Sequence, residues 1–159
     1  MNIFQEYWKA RLIQSLKIAL AAVAAIALAG ELGLKYSATA GIITVLSIRN
    51  TKRETLQSAA NRGLAFLCAL GLSAVCFRFL GYSLWGFAIY LFLFALLCLE
   101  AGWAEAIAMD SVLVTHFMME ESMAPPLLAN EALLFVIGTA LGILVNLHLR
   151  KKTSEFDRL

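Results

Sequence analysis

"AIAMDSVLVTHFMMEE", residues 106–121, poses the question on which the fold turns. It is an apolar run of helix length with an aspartate and a histidine inside it. In a water-soluble core Asp110 and His116 would be ordinary buried polar groups. In a bilayer such residues are costly to place and therefore informative. The rest of the chain decides between the two solvents. Of the 159 residues, 61% are of apolar types and 15% are charged, against about 45–50% and about 25% in soluble domains. The apolar residues come in long runs punctuated by short charged stretches, the pattern of an integral membrane protein.

Six hydrophobic segments emerge, at about 12–28, 36–48, 63–80, 84–99, 104–119 and 132–149. None alternates apolar and polar residues as a membrane barrel does, so the expected class is all-α with six transmembrane helices. A helix needs about 20 residues to cross a hydrocarbon core of about 30 Å. By that measure the second segment is short and the fifth is chemically weak. Residues 1–11, with Ile3, Phe4, Tyr7 and Trp8 beside Lys9 and Arg11, suit an interfacial helix leading into the membrane. The "AIALAG" at the end of the first segment mimics a signal-peptide cleavage site. Further apolar runs follow it, and the first can span by itself, so it reads as a retained helix. Pro125 and Pro126 mark the connection before the sixth segment, and residues 150–159 form a basic tail.

Orientation follows from the cations. Eleven of the thirteen Lys and Arg residues fall on one side of this layout, and only Lys35 and Arg78 on the other. The positive-inside rule then places both termini in the cytoplasm. A net charge of +2 gives no basic surface for nucleic acid. Cys68, Cys76 and Cys98 lie inside apolar runs without metal-ligand spacing and read as packing residues.

The chain also resembles itself. "NRGLAFLCALGL" (Asn61 to Leu72) lies over "NEALLFVIGTAL" (Asn130 to Leu141), and "TVLSIR" (Thr44 to Arg49) over "SVLVTH" (Ser111 to His116) at nearly the same offset. Segment two then matches five, and three matches six. Three spans is an odd number, so such a repeat is inverted. In inverted-repeat transporters, short or interrupted segments at matching places point to the binding site. Segments two and five are the two odd ones here.

"YSATAGIITVLSIRNTKRETLQSAANRGLAFLCALG" (Tyr36 to Gly71), "DSVLVTHFMMEE" (Asp110 to Glu121) and "ALGILVNLHL" (Ala140 to Leu149) resemble stretches of the aromatic acid exporter family, the fusaric-acid-resistance-like proteins. The most specific parts are "GIITVLSIRNTKR" and "SVLVTH"; the resemblance runs from about Arg11 to about Arg150. It implies a six-helix unit in a bacterial plasma membrane that exports aromatic carboxylates. Plant aluminium-activated malate transporters are distantly similar, and these dimeric anion channels suggest a second mechanism. Bacterial members often continue into a cytoplasmic domain after the sixth helix, where this sequence runs to "KKTSEFDRL".

Several residues are candidates for an ion or substrate path. Asp110 at a helix centre in lipid would cost about 2.5–3.5 kcal/mol on the insertion scale, so it should face protein or water. It reads either as a protonatable carboxylate or gate, or as a structural partner of a nearby cation. His116 lies about 120° around the helix from Asp110, so the two form no same-face relay. His116 shares its face with Glu120, an i,i+4 neighbour with which it can pair. Ser111, Thr115 and Thr44 carry hydroxyls that bond their own helix backbone or line a polar path. Arg49 and Lys52, with Arg53, form a cationic cluster that reads as the positive-inside signal or as an anion vestibule. Arg62 enters the third segment and could pair with Glu131, with Asp110 or with a substrate carboxylate. Gly138 and Gly142 have GxxxG spacing, which allows close helix approach, in this chain or in a second subunit. Asn146 suits an interhelical hydrogen bond.

No phosphate loop, metal-binding helix or nucleophile elbow is present in the sequence, so no enzyme, metal or cofactor is expected. Three functions remain: an ion-coupled exporter of small aromatic or other organic carboxylates, an oligomeric passive anion channel, or a non-transporting membrane assembly module. A single six-helix unit is small for a transporter, so a homodimer or higher homo-oligomer in the lipid bilayer is expected.

Overall fold

The computed structural model describes residues 2–48 and 52–157, with side chains described for these except 52–56, 58 and 147–157. Among the described residues there are six α-helices and no strand: α1 (Ile3–Glu31), α2 (Ala38–Leu46), α3 (Lys52–Leu80), α4 (Leu84–Ala101), α5 (Ala106–Glu120) and α6 (Pro125–Asp157). Four of them contain stretches long and apolar enough to cross a membrane: Ile3–Glu31, Ala59–Leu80, Leu84–Ala101 and Pro125–Asn146. The protein is thus an all-helical, multi-pass membrane protein. α2, with 9 residues, extends about 13 Å, and α5, with 15, about 22 Å, so neither reaches across on its own.

The helix ends differ from those expected, for local reasons. Residues 3–11 do not form a separate interfacial helix but are continuous with the first span. No proline or glycine interrupts the chain between Ile3 and Ala29, and the Asn2 side chain accepts the Phe4 N–H at 3.3 Å to start the helix. α1 ends where Gly33 takes a positive φ of 74° and the Leu34 N–H returns to the Ala29 carbonyl at 3.0 Å. α3 begins before its apolar run, and α6 begins before and ends after its own, because Lys, Arg, Glu and Gln extend a helix well. Pro125 and Pro126 are not a connection but the first two residues of α6, where a missing N–H and a fixed φ cost nothing.

The helices group into two compact units. The first holds residues 1–56 and 134–159, which is α1, α2 and most of α6. α2 is its centre, and small residues let both neighbours approach it. A Cβ added at Gly41 would lie 2.7 Å from the Ile26 side chain of α1. A Cβ at Gly138 of α6 would lie 2.5 Å from Ile43, and one at Gly142 2.5 Å from Ser47. The GxxxG pair therefore has its partner within this chain. Thr44 Oγ1 donates to its own-helix Ala40 carbonyl at 2.9 Å and shares that proton with the Gly138 carbonyl of α6 at 3.1 Å.

The second unit, residues 57–133, holds most of α3, all of α4 and α5, and the first turns of α6. Its apolar core joins Ala65, Ala69 and Phe77 of α3, Tyr90 and Phe94 of α4, and Val114 and Phe117 of α5. The buried face of α4 is one stripe, Gly86, Tyr90, Phe94 and Cys98, each four residues after the last. Tyr90 stacks on Phe94 with ring centroids 5.4 Å apart. All three cysteines are free, with Cys76 and Cys98 in this core.

Candidate functional site

The second unit buries an unusual amount of polar chemistry. Arg62 of α3 is 1% exposed, and Asp110 of α5 is 0% exposed. The positive charge of Arg62 acts on Asp110, yet neither carboxylate oxygen of Asp110 has a hydrogen-bond partner. Both residues are buried in the second unit, and no hydrogen bond joins Arg62 to Asp110. Tyr90 of α4 lies beside both Asp110 and Ser111. Its hydroxyl and that of Ser111 are buried without a hydrogen bond of ordinary geometry. An unmatched buried donor or acceptor costs about 1–3 kcal/mol, and more when charged.

A second polar cluster lies nearby on the chain. His116 Nδ1 is 2.6 Å from Glu131 Oε2, with Glu131 itself 0% exposed. Asn130 Nδ2 donates to the other carboxylate oxygen, Oε1, at 3.3 Å. His116 thus has a partner across the α5–α6 hairpin. Glu121 takes a left-handed φ of 50° as the C-cap of α5, and its N–H returns to the Met118 carbonyl. The chain then reverses into α6 at Pro125, and two turns later Glu131 comes level with His116.

The remaining candidates separate. Thr115 Oγ1 bonds the Val112 carbonyl of its own helix, and Thr44 serves the α2–α6 contact. Thr44 and Asn146, both buried, belong to the first unit. Lys52 opens α3. Arg49 lies outside the described residues. So Asp110, Arg62 and Ser111 are all buried in the second unit, where His116 pairs with Glu131. Tyr90 and Glu131 were not singled out for a site by sequence reasoning. Glu131 had a signal in its alignment with Arg62, and Tyr90 had one in being the only hydroxyl on the four-residue stripe of α4. Among the described residues, no group of three or more His, Cys, Asp or Glu side chains could hold a metal ion.

Comparison with known proteins adds a lineage to this geometry. The model of the family described as "Aromatic acid exporter family member 1" matches residues 12–149. The chain is 30% identical over 136 residues to an uncharacterized protein of Bacillus subtilis (strain 168), YqjA, an alignment covering 86% of this chain. It spans 42% of the length of that relative. No solved structure matches.

Proposed function

The chain belongs to the aromatic acid exporter family, and we propose that it exports small aromatic or other organic carboxylates across a bacterial plasma membrane, coupled to an ion. The carrying observation is that the second unit buries both Arg62 and an Asp110 whose oxygens have no hydrogen bond. In a membrane interior, buried ionisable side chains mark ion and substrate paths. Arg62 supplies the cation that attracts a carboxylate, and Tyr90 and Ser111 supply hydroxyls to orient it.

The proposed architecture is six membrane-embedded helices in a three-plus-three inverted repeat. The grouping of helices supports it. One unit combines α1 and α2 with α6, and the other combines α4 and α5 with α3. If α1, α2 and α3 match α4, α5 and α6, each unit is two helices of one repeat completed by the third helix of the other. The short helices then match each other, and α3, of 29 residues, matches α6, of 33. The internal alignment sets Asp110 at the place of Ile43, and Ala69 at the place of Gly138. Where one unit packs isoleucine against a small residue, the other carries a carboxylate. This polar break in an otherwise apolar correspondence is where a site is expected. The working form proposed is a homodimer or higher homo-oligomer.

The test is tolerance. Cells producing the chain should grow in benzoate concentrations that arrest cells without it, and Arg62→Gln at equal membrane abundance should remove the advantage. Equal tolerance conferred by the wild type and by Arg62→Gln would overturn the assigned role of Arg62.

A further inference from the structure

The first unit holds a groove that the proposed carboxylate path does not use. It runs between α1 and α6, with Lys17, Leu20 and Ala21 on one wall and Leu141, Leu144 and Val145 on the other. Its volume is about 430 Å³, within the range of about 300–1,000 Å³ of small-molecule sites. α6 turns Gly142 towards α2, where an added Cβ would meet Ser47, and lines the groove with the residues on either side of that contact. Both walls belong to stretches long and apolar enough to cross a membrane, Ile3–Glu31 and Pro125–Asn146. Leu20 and Leu144 are 59% and 61% exposed, so the groove opens sideways. In a bilayer, what surrounds that opening is acyl chains.

Charge decides which lipid fits. Lys17 brings a cation to otherwise apolar walls. Towards the chain termini, the next cations along α1 are Arg11 and Lys9, about 9 and 12 Å from Lys17 by helix rise. Along α6 the run Arg150 to Lys152 begins about 8 Å past Val145. The first acids in the same direction, Glu6 and Glu155, lie about 16 and 15 Å out. The whole unit repeats this imbalance. Residues 1–56 and 134–159 contain eleven Lys and Arg against five Asp and Glu, a net charge of +6. Residues 57–133 contain two against six, a net charge of −4. Lys17 has interactions within the protein, but pairing inside the first unit cannot neutralise its excess of cations.

We infer that the α1–α6 groove binds an anionic phospholipid of the bilayer: an acyl chain lies along Leu20, Leu141 and Leu144, and the phosphate rests at the cation-rich end, held by the charge of Lys17 and of the helix ends beyond it. A neutral lipid with the same chains fills the apolar walls equally well, so only the headgroup charge separates the two. Basic pockets between membrane helices on the cytoplasmic side recognise anionic headgroups on this principle, and the positive-inside rule assigns this end of the unit to that side. The Lys17 ammonium is shielded from solvent. Among apolar walls its charge is screened less than in water, so it acts on a phosphate at the groove mouth without touching it. One cation near the membrane surface is worth about fivefold in affinity for an anionic lipid. The inference is independent of the export reading, since it concerns the other unit and a different ligand.

The experiment is native mass spectrometry of the purified full chain in detergent, titrated with phosphatidylglycerol and, separately, with phosphatidylcholine of the same acyl chains. The first phosphatidylglycerol is expected to bind the wild type at least about fivefold more tightly than the first phosphatidylcholine. Lys17→Gln should lose about fivefold of that preference, and Lys17→Arg should keep it. Lys35→Gln, which removes a cation from the far end of α1, should keep it too. Leu144→Trp fills the groove from its exposed rim and should weaken the first site for both lipids. Thermal unfolding in the same detergent reports whether each variant is folded, and Leu144→Trp decides the location even if Lys17→Gln does not fold. Equal affinity of the wild type for the two lipids overturns the inference. So does an unchanged preference in folded Lys17→Gln, or a first site indifferent to Leu144→Trp. Displacement of bound phosphatidylglycerol by equimolar glycerol phosphate would make the ligand a free anion and overturn the lipid assignment. A lipid-free dimer that Leu144→Trp splits would give the groove to a second copy of the chain and overturn it as well.

Discussion

Substituting Gly138 by alanine should loosen the first unit, and the structure gives the size of the effect. The new Cβ would sit 2.5 Å from Ile43 Cβ and 2.7 Å from the Ala40 carbonyl oxygen. Ordinary carbon contacts are about 3.5–4.0 Å, so α6 must move away from α2 by about 1 Å. Both obstacles are close to the backbone, so no flexible side-chain end can swing aside. The Thr44–Gly138 bond, now 3.1 Å, would stretch past hydrogen-bonding range. Overpacking costs about 1–3 kcal/mol, and the lost interhelical bond about 0.6 kcal/mol. Alanine returns about 1 kcal/mol of helix propensity. The net expectation is a loss of about 2 kcal/mol. Gly71→Ala is the control, since a Cβ there meets nothing within 4 Å; it should gain about 1 kcal/mol from propensity alone. Unfolding of both variants in the same detergent, followed by intrinsic fluorescence, measures the difference. Equal stabilities for the two variants would refute the close α2–α6 crossing.

Other substitutions separate packing from function. Removing one partner of the His116–Glu131 pair, by His116→Leu or Glu131→Leu, should cost about 3–5 kcal/mol. The double variant should cost clearly less than the two together, read by a double-mutant cycle of unfolding free energies. Asp110→Leu removes the carboxylate charge that acts on the buried Arg62 and should cost stability, up to the about 3–5 kcal/mol of a broken buried pair. The same variant should abolish carboxylate flux in vesicles. Ser47→Ala should change stability by less than about 0.5 kcal/mol, since Ser47 Oγ bonds the Ile43 carbonyl of its own helix; Thr44→Val should lose about 0.6 kcal/mol. Chemical unfolding of the pair checks the order.

Much of the helical layout is legible in the sequence, because a membrane solvent forces apolar runs into helices that satisfy their own backbone. The shortness of α2 is visible in the short run 36–48, whereas the fifth run, 104–119, stands out by its polar residues rather than by its length. What escapes is whatever depends on two elements meeting. Gly138 and Gly142 announce a close approach by their spacing, but not that Ile43 and Ser47 of α2 lie opposite. Glu120 is the obvious partner of His116 on a helical wheel, but a wheel cannot show that α6 folds back to present Glu131. The continuity of α1 was readable from the lack of a breaker between Ile3 and Ala29. Aromatic and cationic residues at 3–11 suggested an interfacial helix, and such a composition suits the end of a long helix equally well. Asp110 and Arg62 stand out as charges in apolar runs. That both are buried in the same unit is a property of how the chain folds and is not visible in the sequence.

The central claim, that Arg62 and Asp110 form the path of a carboxylate, is tested most directly by counterflow in proteoliposomes. Vesicles holding the purified chain and loaded with unlabelled benzoate are diluted into a trace of labelled benzoate, with no other gradient imposed. The account predicts transient accumulation of label by the wild type, and no accumulation above empty vesicles by folded Arg62→Gln. Accumulation by Arg62→Gln at the wild-type rate would contradict it.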